Sequence, residues 1–154
     1  MKRTGCLNMT VITENAAILE GMPDLSTDTC TREELRNIPC LMELDEGGEL
    51  CRVFYEERDA EGSITKNELI FQASCSDTDA GVRLLRRGPV SAEFSFTAGK
   101  SNIVRLDTPY GTAVITVVTE WMRSEKTEAG IAWEWRYRLQ EAMEDHLIRY
   151  EFLD

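Results

Sequence analysis

From residue 131 to residue 139, Ile131, Trp133, Trp135, Tyr137 and Leu139 share one parity, while Ala132, Glu134, Arg136 and Arg138 share the other. Period two is strand geometry, because successive side chains of a strand point to opposite faces of its sheet. On a helix, alternate positions lie about 200° apart around the axis, so three large aromatics at this spacing share no face. The stretch therefore has to be a strand with one aromatic face and one charged face. Val90, Ala92, Phe94 and Phe96 alternate in the same way with Ser91, Glu93, Ser95 and Thr97, and Gly88-Pro89 before them marks a reversal. The longest run, 112–123, is rich in Val, Thr and Ile, which fit a pleated surface. It begins directly after Thr108-Pro109-Tyr110-Gly111, where Pro109 presets one backbone angle and Gly111 is free to take a positive φ. Residues 82–139 thus form an antiparallel meander whose register the turns fix.

The rest of the chain extends this pattern. Residues 9–13 are a short first strand, 15–21 continue as strand, and 22–30 are a loop of Pro, Asp, Ser and Thr. Thr31-Arg32-Glu33-Glu34 has the form of a capping box and predicts one short helix over 31–37. That helix has to stop by Ile38, since Pro39 disfavours helical geometry in the residue before it. Strands are expected at 40–44, 50–57 and 64–73, separated by polar turns containing Gly47-Gly48 and Gly62. In the loop 74–81, Asp77-Thr78-Asp79-Ala80-Gly81 fails as a calcium loop, because its fifth residue is Gly81 and its sixth Val82. An acidic connection at 141–145 leads to a last strand with Ile148, Tyr150 and Phe152 alternating. Nine or ten evenly spaced strands in 154 residues point to an all-β fold: one domain over 1–154, a closed antiparallel up-and-down barrel of about 8–10 strands, with the short helix covering one end.

A chain of this length buries a core without disulfides, and three Trp, five Phe and four Tyr supply it. Its net charge of -11 argues against nucleic acid, whose phosphates repel an acidic surface. Residues 1–81 hold 7 basic and 17 acidic side chains, and residues 82–154 hold 10 and 11, so the meander itself tolerates an anionic small molecule. Cys6, Cys30, Cys40, Cys51 and Cys75 are odd in number and lack C-x-C or C-x-x-C spacing, which fits buried thiols in a reducing compartment better than a disulfide framework or a metal site. The start of the chain has basic residues but no apolar segment of signal-peptide type, and no run of about 18 apolar residues follows. The expectation is a cytoplasmic protein that does not engage membranes.

No catalytic, cofactor or metal motif survives inspection. The one histidine, His146, lies on the last strand beside Asp145, where a hydrogen-bonded structural role is the plainer reading than a general base. Adjacent carboxylates such as Glu56-Glu57 and Glu33-Glu34 face opposite ways on a strand and cannot share a substrate. There is no Gly-rich phosphate loop and no H-E-x-x-H. What remains is an aromatic set, Tyr55, Trp121, Trp133, Trp135 and Tyr137. It either fills the barrel, as side chains do in small barrels, or lines an interior whose mouth admits a small apolar or amphipathic ligand, with Arg86 or Arg105 meeting a negative end.

An ordered series of segments also carries a family resemblance. Val53-Phe54-Tyr55-Glu56-Glu57 is followed by Val82-Arg83-Leu84-Leu85-Arg86-Arg87-Gly88, then Phe94-Ser95-Phe96-Thr97-Ala98-Gly99-Lys100, Thr108-Pro109-Tyr110-Gly111, and Trp135-Arg136-Tyr137-Arg138-Leu139. Over residues 50–153 this resembles the uncharacterised YwiB-like family of calycin, or lipocalin-like, β-barrels. The resemblance implies a lipocalin-like barrel and, through the fold alone, a ligand site inside it; it carries over no functional residue. Three functions follow as expectations. The first is a non-enzymatic barrel binding a small molecule in or at the mouth of its interior. The second is an interaction or structural module working through its surface or as a homodimer. The third is an enzyme acting on a small anion through Arg86, Arg105 and a carboxylate.

Overall fold

Ten strands, each hydrogen-bonded to the next in sequence and the last to the first, close into a barrel. The computed structural model describes residues 1–15, 30–72 and 81–153. The strands are β1 (Lys2–Asn15), β2 (Cys30–Leu44), β3 (Leu50–Arg58), β4 (Ile64–Gln72), β5 (Gly81–Arg87), β6 (Ser91–Thr97), β7 (Ser101–Thr108), β8 (Gly111–Lys126), β9 (Gly130–Leu139) and β10 (Glu144–Leu153). Every pairing is antiparallel, and β1 is paired on both edges, with β10 through Leu7↔Phe152 and with β2 through Leu7↔Ile38. The all-β, closed, up-and-down barrel expected from the alternation is therefore present. The strand expected at 15–21, the loop at 22–30 and the loop at 74–81 fall largely outside the described residues; Cys30 and Gly81 are described, and each begins a strand.

No helix occurs among the described residues, and the helix expected over 31–37 is corrected to strand. Thr31, Glu33 and Leu35 pair with Thr13, Val11 and Met9. A helix of one or two turns is marginal in water because its nucleus is costly, whereas a ladder against β1 satisfies the same backbone groups residue by residue. A bulge between Leu7 and Met9 takes up the extra residue opposite, where Asn37 adopts a left-handed φ of 54° and its N–H donates to Asn8 Oδ1 at 2.9 Å. The bulge turns both Leu35 and Ile38 toward the core.

The turn at 108–111 forms as its residues require. Gly111 has φ 131°, Thr108 Oγ1 accepts from the Tyr110 N–H at 3.1 Å, and the same hydroxyl donates to the Gly111 carbonyl at 2.8 Å. Two of the ten seams are short. β6 and β7 pair only at Ser91↔Asp107 and Ala92↔Leu106, and farther along Asn102 Nδ2 donates to the Ser95 carbonyl at 2.9 Å in place of a ladder bond. β2 and β3 pair only from Cys40↔Tyr55 to Leu44↔Leu50, so among the described residues the first ten residues of β2 have no ladder partner on that side.

The core occupies one half of the barrel. Trp135 is fully buried, its ring stacked on Tyr150 at 5.7 Å between centroids and tilted against Phe96 at 5.3 Å. Phe71 meets Trp133 at 4.8 Å and Phe152 at 5.5 Å. These offset and edge contacts add to the area the rings bury. Close approach of the backbones completes the packing: a Cβ on Gly130 would lie against the carbonyl oxygen of Phe152 on β10, which only a backbone shift relieves. Gly130→Ala is expected to lower stability by about 1–3 kcal/mol, read from the midpoint of urea unfolding, whereas alanine at Gly47, whose nearest neighbour is 3.4 Å away, costs less.

Candidate functional site

The inward parity of several strands changes character toward one end of the barrel. On β3 it runs Val53, Tyr55, Glu57; on β4 Phe71, Leu69, Asn67; on β5 Val82, Leu84, Arg86; and on β10 Phe152, Tyr150, Ile148, His146. Register brings these polar positions together, with Asn67 opposite both Tyr55 and Arg86, and His146 opposite both Thr13 and Tyr137. The result is a polar mouth above an aromatic floor. It encloses a cavity of about 340 Å³ whose lining includes Glu33, Glu57, Arg86, Tyr137 and His146.

A second opening meets it. Where β2 runs on past Cys40 without pairing to β3, the wall parts, and a cleft of about 870 Å³ lies between Leu35, Ile38 and Pro39 on one side and Tyr55, Glu57 and Asn67 on the other. Pro39, with no N–H to donate, stands beside the point where that ladder ends. Leu35 and Glu57 line both the cleft and the mouth cavity, so the two adjoin. Ligand sites are commonly about 300–1,000 Å³, mostly apolar with a few convergent polar groups, and the cleft fits that description.

The polar groups are held by named partners. Arg86 Nη2 donates to Glu57 Oε2 at 3.1 Å. The hydroxyls of Tyr55 and Tyr150 hydrogen-bond at 2.8 Å. His146 stacks on Tyr137 at 4.9 Å, with Thr13 Oγ1 3.0 Å from its Nδ1 and Glu144 Oε2 3.1 Å from its Nε2. Burial holds the imidazole below its ordinary 6.5, against the pull of the Glu144 carboxylate, so the neutral ring prevails. A carboxylate only accepts, so Nε2 carries the proton and Nδ1 accepts from the threonine hydroxyl. Both ring nitrogens of His146 are thus engaged by neighbouring side chains.

The expected site residues separate. Tyr55, Arg86 and Tyr137 face the opening, and Trp133 and Trp135 lie beneath it in the packed floor. Arg105 lies outside the mouth: it is on the outward parity of β7, its side chain 73% exposed and 3.5 Å from Asp107, and it shares with Arg86 only a separate groove on the outer surface. Trp121 also faces outward. A bulge between Thr119 and Trp121 shifts the parity of β8, so that Met122 rather than Trp121 meets the core, and Arg123 covers the Trp121 ring at 5.1 Å. Glu57 and Asn67 are the residues the sequence reading missed. The available signal was a polar residue continuing an otherwise apolar parity.

Such a molecule is an up-and-down β-barrel protein with an opening through its wall. Residues 38–152 match a family described as a domain of unknown function, DUF1934, and the chain belongs to that YwiB-like family. The crystal structure of the YwiB protein from Bacillus subtilis is similar, with a TM-score of 0.67 and 16% identity over 99% of this chain and 94% of that one. At that identity the likeness is one of fold. No curated protein matches the chain.

The buried titratable groups set two expected pH responses. His146 has a folded pKa below its unfolded value, so its contribution to stability is present above pH 6.5 and is lost as pH falls through the folded value. Asp145, held low by the Arg138 guanidinium at 2.9 Å, responds only in more acid solution. Thermal melts from about pH 7 to about pH 5 are expected to show a fall in Tm that is shallower for His146→Gln. At the alkaline side, burial raises the phenols of Tyr55, Tyr150 and Tyr137, the last from 10.0 to about 12. Their stabilisation is complete below pH 10 and is lost as pH rises through the folded values, so Tyr137→Phe is expected to flatten the decline in urea midpoint between about pH 10 and about pH 12.

Proposed function

We propose that this chain is a lipocalin-like binding protein that takes a small, largely apolar molecule through the opening between β2 and β3, with its polar end at the mouth. The observation that carries this reading is the 870 Å³ cleft adjoining the mouth cavity, apolar on the β2 side and polar where Glu57 and Asn67 meet it. The aromatic floor supports it too, since a packed half-barrel gives the walls of the open half a rigid base. Tyr55, Arg86 and Tyr137 contact the ligand in this reading, while Trp133 and Trp135 support it. The neutral fluorescent probe N-phenyl-1-naphthylamine tests the site. Saturable binding to one site is expected, and Ile38→Trp, which fills the cleft from β2, is expected to weaken it by about tenfold or more, one decade being 1.4 kcal/mol. Unsaturable fluorescence, or full binding by a folded Ile38→Trp protein, would count against the cleft.

A second reading, a module acting through its surface or as a homodimer, is favoured by apolar exposure on the outer face of β7 and β8. Ile103 is 76% and Val114 61% exposed there, and Tyr110 is fully exposed at the hairpin tip. Sedimentation velocity over a concentration series decides it: a dimer dispersed by Ile103→Lys supports this reading, and a monomer throughout sets the homodimer aside.

A further inference from the structure

Two acceptor oxygens in the opening are left without partners. Asn67 is 3% exposed, and its Nδ2 donates to the Thr65 carbonyl at 3.5 Å, a bond only the nitrogen can make, so Oδ1 is the free atom, buried and unpartnered. Glu57 gives one carboxylate oxygen to Arg86 at 3.1 Å, while its other oxygen, Oε1, is buried without a hydrogen-bond partner. Asn67 pairs with Tyr55, and Glu57 follows two residues later on the same face, so the two side chains are diagonal neighbours within reach of one head group. A buried acceptor left unmade costs about 1–3 kcal/mol, and two facing the same space call for a donor.

Charge gives the donor its sign. Glu33 and Glu57 line the mouth cavity and Glu144 bonds its histidine, against the single guanidinium of Arg86, which Glu57 already engages. The nearby Arg32 and Arg36 are taken up by Glu34 at 2.7 and 3.1 Å. An anionic ligand would have to draw Arg86 from Glu57 and leave that carboxylate unpaired, which is strongly unfavourable. Arg58 and Lys66 reach the cleft only from its exposed, outward rim, where ion pairs contribute little. Resting on the cleft reading above, we infer that the ligand is an organic amine, with an apolar body against Leu35 and Ile38 and a protonated amine donating to Asn67 Oδ1 and Glu57 Oε1. This reverses the negative end that Arg86 suggests when its partner is ignored.

Calorimetric titration of the full chain with decylamine, decanol and decanoate, matched in length and kept below self-association, separates the alternatives. Decylamine is expected to bind about tenfold or more tighter than decanoate, the scale of a charge-assisted hydrogen bond. Glu57→Gln and Asn67→Leu are each expected to weaken decylamine by about tenfold while leaving decanol within about twofold. Because the chain is acidic overall, Glu61→Gln, which removes a charge from an exposed turn, is the control and is expected to change nothing. Equal binding of all three, tighter binding of decanoate, or decylamine binding untouched by both site variants overturns the amine while leaving the cleft intact. Failure of all three compounds and of the neutral probe overturns the cleft itself.

Discussion

Closure depends on β1, the strand whose two edges are shared between the last strand and the second. An open ten-stranded sheet would need a second layer to cover its apolar face, whereas a closed one covers that face with itself. Closure also sets an interior to be filled. Eight strands enclose a space just wide enough for side chains, and ten enclose more. The chain places its largest rings, those of Trp133, Trp135, Tyr150, Phe71 and Phe152, in one half and lets polar residues take over in the other. The floor is consequently solid and the mouth is not. Of the two interior arrangements considered from the sequence, the packed one describes the floor, and a cavity of about 340 Å³ lies above it at the mouth.

How much of this the sequence displays depends on whether alternation is unbroken. In β9 the parity of Trp133, Trp135 and Tyr137 carries straight through, and each lies where alternation places it. In β8 one residue inserted beside Glu120 reverses the pattern, so Trp121, inward by strict counting, faces solvent beside Arg123. Nothing local marks that insertion, because a bulge answers to the register of the partner strand. The segment 31–37 fails for a related reason: its capping pattern is a local preference, and pairing with β1 outweighs it. Glu57 and Asn67 were legible as polar residues on an apolar parity, yet only the pairing of β3 with β4 and β5 shows that they converge with Arg86.

Family membership and site speak to different things. The matched family covers 38–152, and the similar Bacillus subtilis structure spans nearly the whole chain, so both speak for the barrel. Barrels of one architecture serve different functions, so the fold by itself assigns none, and the chemistry of this one has to be read from the inward side chains near its mouth. The Arg86–Glu57 pair illustrates the point. Arginine alone suggests an anion site; the same arginine with a carboxylate 3.1 Å away makes a nearly neutral fixture whose spare capacity is an acceptor oxygen.

The parted seam has a cost that its own residues meet. A strand stretch not bonded to its neighbour offers bare amides and carbonyls to any passing extended chain, the usual route to sheet-by-sheet aggregation. Along the unpaired part of β2 the chain places Arg32, Glu33, Glu34 and Arg36, then the bulged Asn37 and Pro39. Charges, a kink and a missing amide are the devices that make an edge a poor template. The open edge in this barrel wall is therefore ill suited to being completed by another extended chain.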